Sequence, residues 1–300
     1  MIGTIAKALR IYQWSKNLLV FAALLFAQQL QVPAQCLRSV IAFAAFCAAS
    51  SAIYLFNDLM DIENDRKHPE KCTRPLASGA LGTGTAKAMI VALLAGAAVL
   101  ALQLNLRFCA ILAFYVVLII LYSLVLKRLV IVDVMVVAIG FVIRAMAGAI
   151  ALSVTFSNWL VVCTMFLALF LGFSKRRHEL QFLNDDATGH RPVLLHYTIP
   201  YLDSLNILVA GATLITYTIY TCSPEVVLRL GTDKLYLTLP FVVYGLFRYL
   251  YLVQQHLDGG DPSNSLVKDK PLAATVLLWG MACTGIIYWK AAVHWWRLTL

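Results

Sequence analysis

Residues 116–126 read VVLIILYSLVL. This stretch decides the fold class. Its apolar side chains are continuous and do not alternate, unlike the roughly ten-residue alternating segments of a membrane barrel. Lipid offers no partner to backbone N–H and C=O groups, so such a run crosses a bilayer as an α-helix of about 20 residues. The same character recurs outward in both directions. Nine candidate spans lie at roughly 17–35, 38–57, 86–104, 107–126, 131–152, 157–174, 200–222, 236–255 and 272–292. Composition agrees: 61% of the 300 residues are hydrophobic and 13% are charged, against about 45–50% and about 25% in soluble domains. This excludes a water-soluble globular enzyme and a disordered chain. Seven scattered cysteines exclude a disulfide scaffold. The expectation is one polytopic all-α membrane domain over 1–300.

Basic residues set the orientation. Sixteen of the 24 Lys and Arg fall on one side of the nine spans and six on the other. The N-terminal segment, with Lys7, Arg10 and Lys16 but no small-residue cleavage site, reads as a cytoplasmic end and not as a signal peptide. The C-terminus then lies outside. Loops 58–85, 127–130, 175–199 and 256–271 face the cytoplasm, and the protein is expected in the cell (inner) membrane. All acidic residues except Glu225 and Asp233 fall at that same face. Both charge signs in long loops on one side place the chemistry there. The net charge of +9 fits attraction to anionic membrane lipids as well as substrate steering. No feature points to nucleic acid, and a homo-oligomer stays open.

The second span ends in Asn57-Asp58-Leu59-Met60-Asp61-Ile62-Glu63-Asn64-Asp65. On a helix Asn57, Asp61 and Asp65 share a face at i, i+4 and i+8, with Asp58 beside them. Crowded carboxylates repel one another, and at a helix C-terminus they oppose the macrodipole. A divalent cation between them removes both penalties, and a few hard oxygen ligands suit Mg²⁺ that also holds a phosphate substrate. The alternative is a solvated acidic helix end. Arg66, Lys67, Lys71 and Arg74 follow at once. Carboxylates for a metal and cations for phosphate oxygens are the two halves of a diphosphate site. Cys72 has no CxxC partner, and the six other cysteines read as small packing residues in or beside spans. The small-residue runs AFAAFCAASSA (42–52) and ALLAGAAVLA (92–101) read as close helix contacts.

NDLMDIENDRKHPEKCTRPLASG (57–79) resembles the first Asp-rich motif of the UbiA-type intramembrane prenyltransferases. YSLVLKRLVIVD (122–133), GFVIRAMAGA (140–149), GFSKRRHEL (172–180) and GGDPSNSLVKDKPL (259–272) extend the likeness. Within that superfamily these stretches are most similar to the decaprenyl-phosphate phosphoribosyltransferases. The resemblance implies nine helices around a central cavity. It implies Mg²⁺ on Asn57, Asp58, Asp61 and Asp65, with Asp58, Asp61, Asp65, Lys71 and Arg74 as the catalytic set. It also implies 5-phosphoribosyl 1-diphosphate as donor, a polyprenyl phosphate as acceptor and a product for cell-envelope arabinan synthesis. Asn57, Tyr122, Lys127, Arg144, Lys175, Arg176, Glu179 and Asp261 are the candidate substrate-binding residues. Members that use prenyl diphosphates carry a second D-x-x-x-D motif after the sixth span, where this chain has Lys175-Arg176-Arg177-His178-Glu179. Basic residues there suit a phosphate monoester. Either substrate phosphate can be the one that Lys175 and Arg176 bind. A conventional aromatic prenyltransferase and a non-catalytic lipid-phosphate carrier are the alternatives.

Several polar residues have plainer readings. Arg144, inside a span, is a functional candidate or one end of a structural ion pair. Asp133 is a partner for Lys127 or Arg128. Arg248 snorkels, Tyr249 and Tyr251 join an aromatic belt, and turn chemistry accounts for part of the loop holding Asp261.

Overall fold

A computed structural model describes residues 2–67, 71–155, 157–182, 192–255 and 268–299. These residues form helices and connections, with no strand among them. The helices are α1 (Ile2–Leu9), α2 (Ala22–Phe26), α3 (Pro33–Met60), α4 (Ile62–Lys67), α5 (Thr83–Leu102) and α6 (Leu106–Leu124). They continue with α7 (Val132–Leu152), α8 (Asn158–Phe182), α9 (Ile199–Cys222), α10 (Pro224–Leu230), α11 (Leu239–Gln255) and α12 (Lys270–Thr299). Eight helical stretches among the described residues are long and apolar enough to cross a membrane. The chain is a multi-pass membrane protein.

The first expected span, 17–35, is where the structure differs. A 3₁₀ helix over Ile11–Phe21 runs into the short α2, the chain turns at Gln28 in the left-handed region (φ 57°), and α3 starts afresh at Pro33. Hydropathy averages over this stretch, but Gln28, Gln29 and Gln31 cut the apolar run short. Pro33 lacks an N–H and favours a helix start.

The chain divides into two compact units. The first comprises residues 1–23, 32–129 and 143–154, and the second 24–31, 130–142 and 155–300. In the first, α3 packs on α5, α6 and the 3₁₀ segment. The small-residue run of α3 is its core: Ala42, Ala45, Phe46, Ala49 and Ser51 are fully buried, which lets neighbouring backbones approach closely. The matching run in α5 behaves differently. It buries Ala97 and Ala101 and leaves Ala95, Ala98 and Val99 exposed, so most of that helix faces outward. One end of this unit is tied by polar side chains. Arg38 Nε donates to the Ala151 carbonyl at 2.8 Å, and Asn105 Nδ2 to that of Ile150 at 2.9 Å. Both bonds fall on carbonyls of the last turn of α7, where intrahelical partners run out; that of Ile150 also accepts the Ser153 N–H at 3.1 Å. In the second unit α8 packs along α9, around Phe170, Phe173, Leu202, Leu246 and Leu252. Tyr249 belongs to this core, not to an interfacial belt: it is 4% exposed and meets Phe170 edge-on at 5.4 Å.

Gly148 of α7 faces the Val20 carbonyl so closely that a Cβ would overlap the backbone oxygen. Backbone cannot swing aside as a side chain can. Gly148→Ala is therefore expected to lower stability by about 1–3 kcal/mol, read as a fall in the unfolding temperature in detergent. Gly96→Ala, which meets open space on α5, is expected to hold or raise it.

Candidate active site

The helical register survives through the end of α3, although the helix breaks at Asp61 (φ −100°, ψ 9°). Asp61 N–H still donates to the Asn57 carbonyl at 3.0 Å, and Asp65 N–H to that of Asp61 at 2.8 Å. Asn57, Asp61 and Asp65 thus keep the i, i+4 spacing read from the sequence. Their surroundings differ from one another. Asp58 and Asp65 are each 4% exposed, whereas the Asp61 side chain is 40% exposed. Arg74 bridges the two buried carboxylates: its Nη1 lies 3.1 Å from Asp58 Oδ1 and 2.7 Å from Asp65 Oδ2. Arg10 adds a second cation to Asp58 at 2.5 Å and lies over the Tyr54 ring at 4.9 Å. Its backbone is left-handed (φ 51°, ψ 50°), which turns the chain out of α1. Lys127 approaches Asp61 at 3.8 Å. Lys71 sits on the 3₁₀ turn Lys71–Thr73, whose carbonyl accepts the Arg74 N–H at 3.0 Å. Tyr122 lies half-buried in the last turn of α6. The result is an anionic pole ringed by cations, the arrangement that binds and neutralises a polyanion.

Arg144 lies in the same unit and is buried. Its Nε donates to Asn17 Oδ1 and its Nη2 to Tyr115 Oη, both at 2.7 Å, and its guanidinium lies over the Tyr115 ring at 4.8 Å. Asn17 in turn donates to Cys47 Sγ at 3.3 Å. These contacts place Arg144 in a hydrogen-bonded core network.

The second unit holds the residues after the sixth span. Arg176 is 4% and Arg177 6% exposed. Arg176 Nε lies 2.6 Å from Asp133 Oδ2, and its Nη1 lies 2.6 Å from Glu179 Oε2. Tyr197 Oη donates to Asp133 Oδ1 at 2.9 Å and accepts the Ile131 N–H at 2.6 Å. Burial, together with the neighbouring Asp133 carboxylate, pushes the Tyr197 phenol up from its ordinary pKa, so it stays protonated as the donor. Ile131 is held in the left-handed region (φ 68°), costly for a β-branched residue. Arg177 bonds Asp203 at 2.5 Å, Gln181 at 2.8 Å and the Val253 carbonyl at 2.8 Å.

The chain matches the model of the UbiA prenyltransferase family over residues 17–266. It belongs to that family. Among UbiA-family relatives it is 31% identical to decaprenyl-phosphate phosphoribosyltransferase of Mycolicibacterium smegmatis, over 97% of this chain and 94% of that protein. It is 33% identical to the protein of the same name from Corynebacterium glutamicum, over 94% and 86%. The fold is that of the UbiA homolog from Archaeoglobus fulgidus bound to GPP and Mg²⁺: TM-score 0.68 at 17% identity, over 97% of this chain and 99% of that one.

The UbiA fold puts the expected residues in different settings. Asn57, Asp58, Asp61, Asp65, Lys71, Arg74, Tyr122, Lys127 and Arg144 share one unit. Lys175, Arg176 and Glu179 lie in the other. Asp261 lies outside the described residues. Arg176 is sheathed by two carboxylates, Asp133 on the first turn of α7 and Glu179 one turn along α8. One sequence reading needs correction: Asp133 pairs with Arg176, not with Lys127 or Arg128. Arg248 pairs with Asp269 at 2.7 Å and lies over Tyr251 at 5.4 Å. Arg10 and Tyr197 were missed altogether. Arg10 reads as one more topology charge, and its only signal is that a triple-carboxylate helix end needs cations from somewhere.

The donor set fits a hard divalent cation in kind. Asn57 Oδ1 is buried and makes no hydrogen bond, so it is a neutral oxygen ready to ligate, with three aspartates close in sequence. Among the described residues no three Asp, Glu, His or Cys side chains converge on one point, because Arg74 lies between Asp58 and Asp65.

Removing one partner of a buried pair strands the other charge, at about 3–5 kcal/mol. Arg176→Met is expected to destabilise the protein by that order, and Asp133→Leu/Arg176→Met to recover most of the loss. A double-mutant cycle on unfolding in detergent checks this.

Proposed function

We propose that this UbiA-family protein transfers 5-phosphoribose from 5-phosphoribosyl 1-diphosphate to a polyprenyl phosphate, releasing diphosphate at the cytoplasmic face of the cell membrane. The observation that supports this most is the likeness, along nearly the whole chain, to two proteins both named decaprenyl-phosphate phosphoribosyltransferase. The residues after the sixth span agree with it. Arg176 and Arg177 stand there in buried ion pairs, a poor setting for the second acidic motif of a prenyl-diphosphate user.

The chemistry follows from the anionic pole. The diphosphate of the donor binds where Arg10, Arg74 and Lys127 meet the aspartates, with Lys71 on the turn that leads to Arg74. Asn57, Asp58, Asp61 and Asp65 would hold a divalent cation, which would supply neutralising charge to the leaving group. A phosphate oxygen of the lipid forms a bond to ribose C1, and the C1–O bond to diphosphate breaks with its electron pair on the diphosphate. The lipid phosphate is already ionised near pH 7, so no side chain has to remove a proton. Arg74 turns from the carboxylates toward the departing diphosphate, where a preorganised cation lowers the barrier. The product suits a precursor of envelope arabinan.

The deciding experiment supplies purified protein, Mg²⁺ and polyprenyl phosphate with radiolabelled phosphoribosyl diphosphate. A parallel tube holds a prenyl diphosphate and an aromatic acid. Label is expected in the organic phase of the first tube, with Asp61→Ala reducing it about 100-fold or more. Turnover in the second tube alone identifies a conventional prenyltransferase, and no turnover in either favours a carrier.

A further inference from the structure

A cavity of about 350 Å³ lies beside the aspartate cluster, wholly within the first unit. Gly3, Thr4 and Lys7 of α1 form one wall, and Thr73, Pro75 and Ser78 the other. The two walls are fixed to each other. Ala8, one residue beyond Lys7, is buried against Leu55, Leu76, Leu81 and Ala86. The loop is closed by Leu81 N–H on the Pro75 carbonyl at 2.8 Å and by Arg66 Nε on the Ala77 carbonyl at 3.3 Å. Its strategic feature is Arg74. That side chain reaches Asp58 and Asp65, while its two chain neighbours, Thr73 and Pro75, line the cavity. The cavity and the anionic pole are thus served by consecutive residues.

The lining carries one ammonium, from Lys7, and three hydroxyls, from Thr4, Thr73 and Ser78, with no carboxylate. A phosphate monoester is the ligand this set matches: a compact dianion with several acceptor oxygens for hydroxyl and ammonium donors. We propose that this cavity binds the 5-phosphate of the sugar donor, while the donor's diphosphate sits at the Asp58–Arg74 cluster. The inference rests on the phosphoribosyl reading and sharpens it, because a second phosphate pocket is of no use to a prenyl diphosphate. Lys7, Thr4 and Ser78 become the residues that set donor specificity.

The rival source of the same chemistry is the phosphate of a membrane lipid. The test uses the full-length protein and measures ribose 5-phosphate binding by titration calorimetry, ribose binding as control, and phosphatidic acid binding in nanodiscs. Lys7 and Ser78 are exposed, so Lys7→Gln and Ser78→Ala keep the fold, and equal unfolding temperatures verify this. Lys7→Gln is expected to weaken ribose 5-phosphate about tenfold or more, the loss of one charge-assisted hydrogen bond. In turnover it is expected to raise the KM for phosphoribosyl diphosphate, leave the KM for the lipid alone, and erase the preference over a donor lacking the 5-phosphate. Ribose 5-phosphate that fails to bind the native protein, or binds Lys7→Gln equally well, overturns the proposal. So does a Lys7 dependence seen with phosphatidic acid and not with ribose 5-phosphate. Lys7-dependent binding of ribose 5-phosphate without any transfer upholds the pocket and refutes the transferase reading instead.

Discussion

Two carboxylates cannot be buried near one another without a cation to offset the loss of hydration and their mutual repulsion. Asp58 and Asp65 meet that condition through a single guanidinium, Arg74, with Arg10 added on Asp58. Much of the first unit's architecture follows from this demand. The loop after α4 has to fold back to present Arg74. The chain has to turn sharply after α1 to present Arg10. Gly79, in the left-handed region at φ 78°, closes the loop where a side chain would be strained. The cations that hold the carboxylates have the chemistry that suits a polyanion.

The second unit meets a similar demand. Arg176 and Arg177 are both buried, and each has a carboxylate, Asp133 or Asp203, together with further hydrogen bonds. Such saturation makes a charge tolerable in a low-dielectric interior. The contrast between the units is therefore one of exposure. Asp61 and Lys127 stand 40% and 31% exposed and 3.8 Å apart, a loose pair beside a tight one.

The sequence made the spanning helices legible because lipid permits few backbone solutions, and it made the Asn57–Asp61–Asp65 register legible because helical spacing is local. Partner choice was not legible. Asp133 joined Arg176 instead of Lys127, and Arg248 joined Asp269, because pairings across 43 and 21 residues are decided by which helix faces which. The 17–35 reading failed on a local count: three glutamines and Pro33 outweigh a favourable average. Arg10 carried no local mark at all, since nothing in its neighbours announces a carboxylate 48 residues away.

Arg38 and Asp58 lie 20 residues apart on α3, one bonded to helix-end carbonyls and the other at the anionic pole. At 1.5 Å per residue that separation is about 30 Å, the thickness of a bilayer's hydrocarbon core. The helix therefore works as a ruler. With one polar fixture at each end, the depth of the aspartates is set by the length of α3 and not by the lipid around it. The two polar fixtures thus stand about one hydrocarbon thickness apart along a single helix. A membrane a few ångströms thicker or thinner would have to deform, or tilt the bundle, before it could shift that level.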